Sequence, residues 1–110
     1  MLVFLFTDIE GSTRLWEEHT PVMKGIIARH DEILREQIEA HGGRITKHTG
    51  DGITAVFAQG EPLACALGVQ VRFAGEPWPE IRALAIRAGL HAGEAEFHGS
   101  AGTPGGDYFG

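Results

Sequence analysis

RITKHTGDGITAVF, residues 44–57, decides how the chain folds. Two runs suited to strands, 44–48 and 53–57, flank the tight loop Thr49-Gly50-Asp51-Gly52. Gly50 and Gly52 can take positive φ at little cost, so the stretch reads as a β-hairpin. The second strand alternates Ile53, Ala55 and Phe57 against Thr54 and Val56. Both sets are fairly apolar, which places this strand inside a sheet and not at its edge. The turn lifts the carboxylate of Asp51 clear of both strands. A second carboxylate, Asp8, ends the apolar run 2–6, again at a strand end. Two carboxylates brought together in this way suit a pair of hard divalent cations handling phosphates. The plainer alternative is that Asp51 is only a turn residue, since Asp-Gly is a very common turn dipeptide.

Upstream of the hairpin, residues 2–6 (LVFLF) are continuously apolar and short, as in a strand buried on both faces. Glycine and hydroxyls follow at Gly11, Ser12 and Thr13. Ser12 or Thr13 can cap a short helix containing Leu15 and Trp16. Free backbone N–H groups at such a start can hold phosphate, or simply begin a plain capped helix. Thr20-Pro21 reads as a second helix start. From there Met23, Ile26, Ile27, His30, Leu34, Ile38 and His41 recur at helical spacing up to Gly42-Gly43. His30 reads as a packed core histidine, because no second histidine stands four residues from it.

Downstream, Pro62 opens another helix, with Leu63, Ala66, Leu67, Gln70, Val71 and Phe73 as its expected buried side. A strand is expected over 84–91 and a shorter one over 94–98. Arg87 is either a sheet-surface charge or part of an interface. The lone Cys65 cannot form an internal disulfide and fits a small core residue in a reducing, cytoplasmic setting. The chain's 110 residues fit one domain. A net charge of −6 and pI of about 5.4 argue against nucleic-acid or anionic-membrane binding through bulk charge. No apolar run approaches a membrane span. The element order predicts an α+β fold: a ferredoxin-like mixed sheet with helices on one face.

Four motifs then converge. FTDIEGST at 6–13, KHTGDG at 47–52, IRAGLHAGEAE at 86–96 and GDYFG at 106–110 resemble class III nucleotidyl cyclases, the adenylate/guanylate cyclase family. The match in order and spacing runs along essentially the whole chain, and is nearest to the bacterial branch with TDIEGST. The resemblance implies that Asp8 and Asp51 hold two divalent cations, Mg2+ or Mn2+, with the Ile9 carbonyl also facing a metal. It implies that Gly11, Ser12 and Thr13 hold the β- and γ-phosphates of ATP. Lys47 and Asp107 match the pair that reads adenine, the lysine donating to N1 and the aspartate accepting from the amino group. The activity implied is conversion of ATP to 3′,5′-cyclic AMP and pyrophosphate by a homodimer with shared active sites, with a fused effector domain downstream.

Two departures accompany the resemblance. Gly-Ser-Thr stands where many members have Gly-Phe-Thr. The asparagine and arginine that complete the family's site lie beyond DYFG. The expectation is therefore that residues 1–110 are the N-terminal part of a single cyclase domain, lacking its last helix and strands, and inactive alone. Partly exposed apolar strand faces at 53–57 and 84–90 are expected with it. The competing class is a degenerate cyclase-like module that binds nucleotide, or only dimerises, to control a fused effector. A diguanylate cyclase fits less well, because the acidic, Phe-containing hairpin turn of that family is missing.

Overall fold

A computed structural model describes residues 1–93. Its elements run β1 (Leu2–Ile9), α1 (Ser12–Ala40), β2 (Arg44–Thr49), β3 (Gly52–Phe57), α2 (Pro62–Gly75) and β4 (Ile86–Gly93). The sheet order is β2-β3-β1-β4. Each helical connection joins two parallel strands that are not neighbours. β3 sits between β1 and β2, and β1 sits between β3 and β4. This is the split βαβ plan of the ferredoxin-like fold. Every pairing among the described strands is therefore antiparallel, where a mixed sheet was expected.

The core lies between one face of this sheet and the two helices. β1 contributes Leu5 and Ile9, and β3 contributes Ile53, Ala55 and Phe57. Against them α1 sets Met23, Ile26, Ile33, Leu34 and Ile38, and α2 sets Cys65, Val69 and Phe73. Charged groups close the helix seam from outside. Arg29 reaches Glu76 at 3.0 Å, and Arg72 reaches Glu36 at 3.1 Å. Trp78 folds back after α2 and donates its indole N–H to the Phe73 carbonyl, which seals the end of that helix.

Several expectations shift. The two helices foreseen before the hairpin merge into one element with non-helical backbone at His19, just ahead of Pro21. Proline lacks the N–H that would continue the ladder, and Thr20 donates its hydroxyl to the carbonyl of Trp16. Gly11, not Ser12 or Thr13, occupies the N-cap position, with φ of 69°. The buried row of α2 is Cys65, Val69 and Phe73, while Leu63, Leu67 and Val71 face outward. β4 begins at Ile86, two residues later than expected. Residues 53–57 are buried rather than exposed, and so are Leu84 and Ile86. Ala88 and Leu90, the latter at 40%, keep the anticipated exposure. The shorter strand foreseen at 94–98 lies outside the described residues.

Candidate functional site

Strand register brings the two carboxylates to the same end of neighbouring strands. Thr7 of β1 pairs with Ile53 of β3. Asp8 lies one residue beyond that pair on β1, and Asp51 two residues beyond it on the β3 side. The hairpin turn is tight, with positive φ at Gly50. Gly52 has a different reason to be glycine. A Cβ there would stand 3.3 Å from the Thr7 carbonyl oxygen and 3.0 Å from Thr49 Oγ1. The turn thus lies directly against β1, and the missing side chain permits the approach.

The start of α1 closes the third side. Ser12 donates its hydroxyl to Asp51 Oδ2 at 2.6 Å. Gly11 accepts the first intrahelical bond, from Leu15 N, and no side chain caps the helix. No acidic residue of α1 itself occupies its first turn, where the leading N–H groups of a helix have no intrahelical partner. Gly11 and Thr13 are exposed and Ser12 is half-buried. Ile9 buries its side chain in the core while its backbone stays at this strand end, in register with Ile86.

Asp8 points to the face away from the helices, because Leu5, Ile9 and the core are on the other side. Its cross-strand partner on β4 is Arg87. The guanidinium grips both carboxylate oxygens, at 2.7 and 2.8 Å. These two hydrogen bonds hold the Asp8 carboxyl below the usual carboxylate range, against a smaller opposing effect of burial. Arg87 is raised in turn, by Asp8 first and then by the fields of Glu10 and Asp51. The guanidinium therefore senses both carboxylates that the sequence singles out. A shallow open concavity of about 270 Å3 lies here, lined by Phe6, Thr7, Asp8, Arg87, Ala88 and Gly89.

Lys47 reaches the same face by way of a β-bulge. Ile45 pairs with Ala55, whereas Lys47 pairs with Thr54, so Thr46 is an extra residue in β2. Without that extra residue, two positions of one parity would share a face. The bulge instead leaves Ile45 packed against the core and turns Lys47 to the open face. His48 then returns to the helix side, where its Nε2 lies 3.0 Å from Asp31 of α1. Asp107 lies outside the described residues. Among the described residues no group of three metal-ligating side chains gathers. Two carboxylates at a strand end nevertheless fit Mg2+-like ions, which take one or two carboxylates and complete their shells with phosphates and water.

Asp31 and His48 were not singled out from the sequence. Their pairing depends on the bulge, and one extra residue in a short strand leaves no periodic signal. Arg87 was noted but left open, because its partner stands 79 residues away.

No family model matches the chain. A curated adenylate cyclase of Schizosaccharomyces pombe is 38% identical over 80 residues, 71% of this chain and 5% of that enzyme. The chain thus spans a small part of the curated relative it matches. Among solved structures, an adenylate cyclase from Trypanosoma brucei, described in its monomeric state, superposes with a TM-score of 0.82 at 24% identity. That match covers 99% of this chain and 63% of the other. The guanylate cyclase domain of RhGC from Catenaria anguillulae, solved with GTP, superposes at 0.70 with 17% identity, covering 81% of this chain and 54% of that one. The structural likeness carries the fold of class III adenylate/guanylate cyclase domains, and the sequence likeness, over 71% of the chain, is to an adenylate cyclase.

Proposed function

We propose that this chain is part of a catalytic domain that converts ATP to 3′,5′-cyclic AMP and pyrophosphate in signal transduction. The observation that carries the reading is the convergence of Asp8, Asp51 and the start of α1 at one end of β1 and β3. In this reading Asp8, Asp51 and the Ile9 carbonyl hold two divalent cations, Mg2+ or Mn2+. When bound, such ions neutralise phosphate charge and raise the acidity of the ribose 3′-hydroxyl.

The chain's own residues position the substrate. The uncapped amides at Gly11, Ser12 and Thr13 receive the β- and γ-phosphates, where helix N–H groups and the helix dipole favour anions. Held this way, the 3′-oxygen attacks the α-phosphorus in line, a new P–O bond closes the ring, and pyrophosphate leaves. The help is mostly positioning and charge neutralisation. Lys47, exposed on the open face, reads the adenine together with Asp107. The site is completed in a homodimer with shared active sites, acting in the cytoplasm and feeding a fused effector. No helix among the described residues is long and apolar enough to cross a membrane. A purely regulatory module is the alternative. The two carboxylates at one strand end favour the enzyme, since dimerisation alone does not require them.

The test is cyclic nucleotide formation from ATP and from GTP, with manganese, by the domain that carries this chain. Asp8→Asn and Asp51→Asn should each abolish turnover. Lys47 only donates hydrogen bonds and ionised Asp107 only accepts them, so the pair is complementary to adenine and mismatched to guanine. Preference for ATP of about two to four decades in kcat/KM is expected. Lys47→Glu with Asp107→Cys should shift it toward GTP. Equal rates on ATP and GTP would sink the base-reading pair, and full activity in both aspartate variants would sink the metal assignment.

A further inference from the structure

The β2 arm of the hairpin that presents Asp51 has little packing of its own near the turn, whereas the β3 arm is buried. β2 is exposed from Lys47 through Thr49, and Gly50 is exposed as well. Two side-chain tethers join this tip to α1, and they land on different parts of it. One is the hydroxyl of Ser12 on Asp51, ahead of the break at His19. The other lies beyond the break, on the stretch whose Met23, Ile26, Leu34 and Ile38 are locked in the core. There the Asp31 Oδ1 sits 3.0 Å from His48 Nε2 and 2.8 Å from His30 Nδ1.

His30 gives this second tether its rigidity. The ring is fully buried and stands edge-on to Phe73, with centroids 5.7 Å apart. Its Nε2 has no hydrogen-bond partner among the described residues. An imidazole held in an apolar core by one nitrogen alone places its proton on that nitrogen, so Nδ1 donates and Asp31 accepts. The carboxylate, fixed from below by His30, accepts a second hydrogen bond from His48, three residues before Asp51. We propose that His30 and Asp31 act through His48 as positioning residues for the Asp51 turn, and so set how tightly this strand end binds a divalent cation. The inference rests on the metal role proposed for Asp51.

The probe is Mn2+ alone, titrated into the purified chain and followed by the electron paramagnetic resonance of the free ion. Amide hydrogen exchange at Gly50, Asp51 and Gly52 is measured without metal. His48→Ala should weaken Mn2+ binding about tenfold, the low end for losing a group that orients a metal ligand. It should also speed exchange at the three turn amides and leave the unfolding midpoint unchanged. His48→Gln, whose amide can still donate to Asp31, should recover both. Asp51→Asn is the control for the underlying reading. If it lowers Mn2+ affinity while His48→Ala changes neither affinity nor exchange, the positioning role is wrong and the metal role stands. If Asp51→Asn binds Mn2+ as the parent does, the metal role fails and the inference falls with it. A His48→Ala loss matched by an equal loss of global stability, unrecovered by glutamine, would also overturn it.

Discussion

Arg87 and Asp8 are 79 residues apart in sequence, yet register sets them opposite each other and the guanidinium takes both oxygens. Removing that grip should return Asp8 toward an ordinary carboxylate. Arg87→Ala is expected to raise its pKa, read by carbon-detected NMR titration of the carboxyl. The sign of the stability effect follows. A carboxyl held low in the folded state adds stability above its unfolded pKa and loses it as pH falls through the folded value. That acid-side loss should shrink in the variant. Cys65 makes the opposite case. Burial alone pushes its thiol up to about 11. It should resist alkylation at pH 8 in the native protein and react fully in denaturant, measured by thiol titration. The core role of Cys65 was legible because a small apolar residue in a helical pattern has few other uses. The partner of Arg87 was not, because cross-strand register is a property of the assembled sheet.

Among the elements, the buried row of α1 was readable. Met23, Ile26, His30, Leu34 and Ile38 recur with helical period against a charged opposite side. α2 misled for the complementary reason. Its rows Leu63, Leu67, Val71 and Cys65, Val69, Phe73 share the same spacing and are both apolar, so period could not choose between them. Packing chose the second row, helped by Gly68. A Cβ there would run into the Gln37 side-chain amide on α1 and stand 3.7 Å from His41 Cε1, so a larger side chain would have to displace both. Gly68→Leu should therefore cost about 1–3 kcal/mol by overpacking this crossing. Gly25→Ala should do the reverse. Its Cβ would meet nothing within 4 Å, in the middle of a helix with no positive φ at that residue. A gain of about 0.5–1 kcal/mol in urea unfolding is expected, since alanine is the better helix former and narrows the unfolded ensemble.

At the scale of the molecule, the βαββαβ order carried the α+β plan, because short apolar strands and capped helices alternate visibly along the chain. Antiparallel pairing throughout came from inserting one strand inside each crossover, which local pattern does not record. The fold also stores an acid sensitivity. Burial holds His30 below its ordinary pKa. Below about pH 6.5 the unfolded chain takes up a proton there that the folded chain refuses, so stability should fall as pH drops through that point. His30→Leu should flatten this part of the curve of melting temperature against pH. The sheet order has one more consequence, for synthesis. β1 leaves the ribosome before either of its partner strands, yet Leu5 pairs with both Ala55 and Leu90, the second of them contributed by the last described strand. A nascent chain with residues up to about 75 outside the exit tunnel should display the run LVFLF with one edge unpaired, a surface suited to chaperone capture. Cross-linking from residues 2–6 to a ribosome-associated chaperone should then be strong, and should fade once residue 93 has cleared the exit tunnel.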